Sequence, residues 1–264
     1  MIQIPKESFF GLDISIFEKE QLQKYVKERI DQKISTVFYG YSIGTIPYMI
    51  KVPKTVTIGN KFDVLLTDGR VLFLTCRLFG IKVKCDLSIP NFVHDLLRYA
   101  NEDSLNIYLL GATNNTNNLA IDKIRCEYKK IGLCLGHHGY FKTDEMFKIC
   151  EELKENSIDI VFIGISSPMK EEISLGFKKN NIAPIIVPCG GMIDVLAGRV
   201  KQTPTLLKKI GLASIFRVMQ EPKRLYKRYL HIYSFLFFNL FPLLIFLFIS
   251  RNKNFSLIKH YEVK

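Results

Sequence analysis

The apolar positions of the chain change period several times, and each change marks an element. Lys19 to Ile34 carries Leu22, Val26 and Ile30 at helical spacing, and Val37 to Tyr41 follows as an apolar run of strand length. Phe62 to Leu66 is a second short run, closed by the turn signal Thr67-Asp68-Gly69. A helix is expected over Asn91 to Ala100, a strand over Asn106 to Leu110, a helix near Leu119 to Lys130 and another from Asp144 to Lys154. Strands at Asp159 to Ile163 and Ala183 to Val187, separated by a helix, complete the series. Alternating strands and helices predict an α/β fold of Rossmann-like type, a mainly parallel sheet with helices on both faces.

One stretch breaks this rhythm. Tyr229 to Ser250 reads YLHIYSFLFFNLFPLLIFLFIS, without a charged residue and close to the ~20 residues that cross a bilayer. It accounts for a hydrophobic share of 48% and a mean hydropathy of +0.11 in a 264-residue chain that otherwise looks soluble. Basic residues flank both ends, and Pro242 falls near the middle. A span, a shallow hairpin and a helix lying in the membrane plane therefore all remain open. A buried core helix is the plain alternative.

Charge adds to this picture. The formal net charge is +12, and nine Lys or Arg stand against Glu221 alone between Arg199 and Arg228. Such a block suits an anionic lipid or a diphosphate, or is simply a solvated helix face. Nucleic acid is not expected, since no helix-turn-helix or aromatic-interleaved RNA motif accompanies the charge. The pattern divides the chain into an α/β catalytic domain (1–198), a basic C-terminal appendage (199–228), a hydrophobic membrane-associated segment (229–250) and a basic tail (251–264). The α/β body is expected to fold without the hydrophobic segment. The six cysteines occur singly with no C-x-x-C pair, which suggests neither a zinc knuckle nor a disulfide framework. The start lacks the pattern of a secretory signal, so the body is placed in the cytoplasm.

In parallel α/β sheets ligands bind beyond the carboxyl ends of the strands. Three polar clusters fall there: Gly111-Ala112-Thr113-Asn114, Gly164 to Pro168, and Cys189-Gly190-Gly191 to Asp194. Their glycines could only turn the chain, since no G-x-G-x-x-G or P-loop is present. Ser166-Ser167-Pro168 before Lys170-Glu171-Glu172 reads as a helix start, which could hold an anion on free N–H groups. Adjacent His137 and His138 are expected to point apart on a strand, leaving no metal site. Asp63 and Asp68 bound one short apolar run, and each could be a turn former or a general base.

Taken together these residues resemble a known family. Asp63 to Gly69, Arg77 and Gly80, Asp86-Leu87, Leu109-Leu110-Gly111, His138 to Phe141, Asp159 to Pro168 with Glu171, and Gly190-Gly191 to Gly198 are similar, in order, to the WecG/TagA/CpsF glycosyltransferases. Gly211-Leu212, Arg217, Glu221-Pro222, Arg224 and Arg228-Tyr229 continue the resemblance, which covers roughly residues 9 to 230.

The resemblance implies an inverting, metal-independent transfer needing no cofactor, in which a UDP-sugar serves as donor and an undecaprenyl-diphosphate-linked sugar as acceptor. It implies that Asp68 is the base and that Arg217 and Arg224 meet the diphosphate charge. Gly111, Tyr140, Ser167, Lys170, Gly190, Gly191 and Asp194 would line the nucleotide-sugar pocket, and Arg77, Lys227 and Arg228 would meet the acceptor diphosphate and lipid. The products would be capsule, O-antigen or teichoic acid, made at the cytoplasmic face of the bacterial plasma membrane.

Departures from the pattern fall where sugars would sit. Tyr39-Gly40-Tyr41 replaces a T-x-N sequence, and Lys170 stands where relatives carry Gln. An alternative reading is a homologue without catalysis that binds nucleotide-sugars and serves as a membrane-bound assembly partner. An oxidoreductase lacks its glycine fingerprint.

Overall fold

A computed structural model describes residues 2–9, 11–46, 60–142 and 145–250. An antiparallel hairpin comes first, β1 (Lys6–Phe9) and β2 (Leu12–Ser15), followed by α1 (Lys19–Asp31), β3 (Thr36–Tyr41) and β4 (Val64–Thr67). Then come α2 (Arg70–Leu78), α3 (Ile89–Glu102), β5 (Ile107–Gly111), α4 (Asn114–Glu127), β6 (Cys134–His137), α5 (Glu145–Glu155), β7 (Ile160–Gly164), α6 (Met169–Lys179) and β8 (Ile185–Pro188). Short helices α7 (Met192–Leu196), α8 (Thr205–Lys209) and α9 (Ala213–Gln220) lead into α10 (Pro222–Phe235). A π-helical turn, Leu236–Leu240, joins α10 to α11 (Phe241–Ile249).

The six-stranded sheet runs β4-β3-β8-β7-β5-β6 with every pairing parallel. A parallel sheet is covered on both faces, and successive side chains alternate between them. In β3, Val37, Tyr39 and Tyr41 join the cluster formed with the hairpin, α2, α5 and α6. Phe38 points the other way, into the cluster formed with α1, α3, α4 and α7. At the strand ends, β5 closes on Gly111, where φ is 147° and an added Cβ would lie 2.5 Å from the Gly164 carbonyl oxygen. Only glycine lets β5 and β7 finish side by side there.

The predicted strands and helices all form, with three differences. The fourth helix starts at Asn114, five residues before the expected Leu119, because Thr113 caps it by accepting the Thr116 N–H. The hairpin, α2 and β6 have no counterpart in the periodicity reading. They are short, and α2 directly abuts the Asp68-Gly69 turn. The third concerns the histidines, which do not point apart. β6 ends at His137, and the two rings lie with centroids 4.3 Å apart.

The hydrophobic segment lies along the body. Ile232, Leu236, Leu240, Leu244 and Leu247 are buried in one cluster with Phe9, Leu12, Phe73, Phe79 and Val83, and Phe248 meets Phe79 edge to face at 5.8 Å. Buried positions four apart drift by about 40° per step around an α-helix of 3.6 residues per turn. The wider π turn at Leu236–Leu240 takes this drift back, so one stripe stays on the body. The boundary drawn at Arg228 therefore divides a shared core, and the body does not end where the periodicity does. The basic tail 251–264 lies outside the described residues.

Candidate active site

β3 and β4 end beside one another, and Asp68 follows β4 directly. Its N–H donates to the Tyr41 carbonyl at 2.6 Å, extending the β3–β4 pairing by one residue. Gly40 makes room on the adjoining strand, where an added Cβ would come to 3.0 Å from Asp68 Cβ and clash with Ile89. The Ile89 N–H at the start of α3 donates to Asp68 Oδ1 at 3.0 Å. Burial pushes the Asp68 carboxyl above its ordinary value, while that hydrogen bond and the charges of Lys170 and Lys208 pull it down, and Asp86 adds to the rise. The result is a carboxylate more basic than a free aspartate, at the ligand-binding edge of the sheet.

Asp68 opens onto a cleft lined also by Ile89, Pro90, Cys189, Gly191, Met192, Val195, Lys201 to Thr203, Lys208 and Arg217. The α8–α9 segment forms its far wall. Gln220 clips residue 201 in place, accepting its N–H at 2.7 Å and donating to its carbonyl at 3.0 Å. Arg217 reaches in from α9, with Nη2 3.4 Å from the Gly191 carbonyl and 3.8 Å from Glu221 Oε2.

Behind Asp68 lies a buried polar group. Glu171, only 2% exposed, accepts the Tyr39 hydroxyl at 2.7 Å and the Ser167 hydroxyl at 2.6 Å on Oε1. Lys170 Nζ stands 3.7 Å from the same oxygen and 5.0 Å from the centre of the Tyr39 ring. Burial and the Glu171 carboxylate together drive the Tyr39 phenol well above its ordinary value, so it stays protonated and donates.

The expected site residues separate into groups. Asp68, Arg217 and Gly191 share the cleft, Gly190 adjoins it, and Asp194 stands in the first turn of α7 beside Gly191. Lys170 faces Asp68 and Tyr39 and is not a solvated lysine. Ser167 is committed to Glu171. Gly111 sits at the carboxyl end of β5, while Tyr140 beyond β6 is 78% exposed. Arg77 lies over the Phe73 ring on the exposed side of α2, and Lys227 is exposed on α10. Arg224 and Arg228 belong to α10, but their side chains lie outside the described residues. Asp63 closes the opposite end of β4, accepting the Val37 N–H at 2.9 Å and pairing with Lys178 at 2.7 Å, which is structural work.

Lys208, Tyr39 and Glu171 were not singled out as site residues by their sequence positions. Tyr39 and Glu171 carried a signal, one as a departure from a pattern and the other as a helix-start acid. Lys208 was one cation among nine. Among the described residues no group of three His, Cys, Asp or Glu side chains could hold a metal ion.

A carboxylate of raised basicity facing cations across an open cleft, at the carboxyl edge of a parallel sheet, is the layout of an α/β group-transfer enzyme. The chain belongs to the glycosyl transferase WecG/TagA/CpsF family, whose profile matches residues 7–245, and it is a glycosyltransferase. It is similar to an N-acetylglucosaminyldiphosphoundecaprenol N-acetyl-beta-D-mannosaminyltransferase of Bacillus subtilis (strain 168), 24% identical over 206 residues, or 78% of this chain and 79% of the relative. Enzymes of the same name from Staphylococcus aureus strains MW2 and NCTC 8325 are each 26% identical over 166 residues, covering 63% of this chain and 65% of theirs.

Proposed function

We propose that this glycosyltransferase moves a sugar from a UDP-sugar to a polyprenyl-diphosphate-linked acceptor, with inversion and without a metal ion, in the synthesis of a bacterial surface polysaccharide. The observation that carries the reading is Asp68, raised in basicity by burial, opening onto the same cleft as Arg217. The acceptor hydroxyl gives its proton to the Asp68 carboxylate as its oxygen bonds to the sugar's anomeric carbon. On the opposite side the bond from that carbon to the UDP oxygen breaks, and its electron pair leaves with the diphosphate. Arg217 meets that charge, a role the resemblance also gives to Arg224, so side-chain cations take the role a divalent metal has in other transferases. The relatives' names, which specify an undecaprenyl-diphosphate-linked acceptor, support a lipid substrate here.

The C-terminal helix fits the same reading. The helix Leu225–Ile249 contains an 18-residue window of mean hydropathy 2.3 and is long enough to span a membrane, but the stripe from Ile232 to Leu247 is already held by the body. Its outer side exposes Leu230, Phe237, Phe238, Ile245, Phe246 and Ile249, with Lys223 and Lys227 at the polar end. Of the three dispositions, an in-plane helix buried in the headgroup boundary keeps both contacts, and it would bring the cleft to the cytoplasmic surface where the acceptor diphosphate emerges. A panel of UDP-sugars incubated with a short-chain prenyl-diphosphate-linked N-acetylglucosamine and EDTA tests the proposal. A new glycolipid is expected from one or more donors in the presence of EDTA. Failure with every donor, or a strict need for added metal, overturns it.

A further inference from the structure

We propose that Lys208 is a diphosphate-binding residue of the cleft, holding the diphosphate of the donor or of the acceptor beside Asp68. The inference rests on the transfer reading above. Lys208 sits on α8, half-buried, and lines the cleft together with Asp68, Lys201 and Arg217. Its ammonium makes one hydrogen bond among the described residues, to Asn91 Oδ1 at 3.0 Å, a neutral acceptor. An ammonium has three donors, so two remain for water or for a bound anion. Burial lowers the Lys208 pKa and the Asp68 charge opposes this, so the cation stands in a place that favours a further anion.

Charge matching points to the class of anion. The cleft lining holds three cations, Lys201, Lys208 and Arg217, and one carboxylate, Asp68, an excess of two positive charges. A diphosphate esterified at both ends, the linkage shared by a UDP-sugar and a polyprenyl-diphosphate-sugar, carries two negative charges. A single carboxylate or phosphodiester would leave the cleft positive. Lys208 bonds Asn91, two residues beyond the Ile89 whose N–H holds Asp68, whereas Arg217 leans on Gly191 beyond the end of β8.

The test compares wild type with Lys208→Gln and Lys208→Arg. Calorimetry measures UDP and inorganic pyrophosphate affinity over a salt series, and initial rates give KM for the prenyl-diphosphate-linked acceptor. Lys208→Gln is expected to weaken either UDP binding or acceptor KM by about 10-fold or more, as loss of a charge-assisted hydrogen bond does, with Lys208→Arg recovering most of it. Loss on UDP alone assigns the donor diphosphate, loss on acceptor KM alone the acceptor's, and loss on both a point where the two meet. A shallower salt dependence in Lys208→Gln separates anion binding from a structural role. Unchanged UDP affinity, pyrophosphate affinity and acceptor KM in a variant of wild-type melting temperature overturn the proposal. Should the wild type transfer no sugar, the transfer reading fails, and pyrophosphate binding still decides the case of Lys208.

Discussion

The Ile89 N–H donates to Asp68 Oδ1 at 3.0 Å, so the first turn of one helix fixes the carboxylate that ends a neighbouring strand. Asp68 itself lines the cleft. Asp68→Asn keeps the size and removes the basicity, and turnover is expected to fall by about 10² to 10⁴. UDP affinity should hold within a few-fold, measured by calorimetry. Turnover near the wild-type rate would place the base elsewhere.

The pH dependence follows from the direction of the Asp68 shift. The base works only when ionised, so kcat/KM should fall on the acid side with a limb above the ordinary aspartate value. For stability the sign is opposite. A carboxyl whose folded pKa is raised binds its proton more tightly in the native state, so its ionisation costs stability as pH rises through that value. Asp68→Asn is never charged and is expected to melt no lower than wild type at neutral pH. A clear drop in melting temperature would show that the ionised carboxylate is stabilising.

Lys170 holds positive charge against Asp68 and lowers its pKa. Lys170→Gln should therefore move the acid limb of kcat/KM to higher pH. If the ammonium also meets substrate, the variant will lose preference for acidic over neutral UDP-sugars. An acid limb that stays in place would mean that Lys170 does not act on Asp68 in the working enzyme.

Tyr39→Phe removes one of the two hydroxyls that satisfy Glu171 Oε1, while Oε2 has no hydrogen-bond partner among the described residues. A hydrogen bond to a buried charged group contributes about 1.5 to 3 kcal/mol. Denaturant unfolding should show a loss of that order. Unfolding indistinguishable from wild type would mean that the Tyr39 hydroxyl adds nothing net to stability.

The C-terminal helix predicts a contrast between two kinds of change. Truncation after Arg228 removes five buried aliphatic side chains from the stripe Ile232 to Leu247, each contributing about 1.5 to 3 kcal/mol when fully buried, and should give an unstable or aggregating protein. Replacing Phe237, Phe238 and Phe246 with Gln on the exposed side should leave melting unchanged and release the protein from liposomes in a sedimentation assay. A truncated protein that melts like wild type would show that the helix does not share the core.

The sequence by itself determined the parallel α/β architecture, because strands buried on both faces must be apolar runs and the helices between them must be amphipathic. The turn signal left Asp63 and Asp68 both open, and the family resemblance alone singled out Asp68, which the fold then sets on the cleft. Tertiary structure alone decided what surrounds that carboxylate. Ile89, Lys170 and Lys208 approach Asp68 from three separate helices, and no local period encodes a meeting of residues so far apart in the chain. It also decided the fate of Tyr229 to Ser250. Composition records only that this stretch avoids water, whereas the placement of Ile232 to Leu247 against Phe9, Phe73 and Phe79 determines that one side is covered by protein and the other stays exposed.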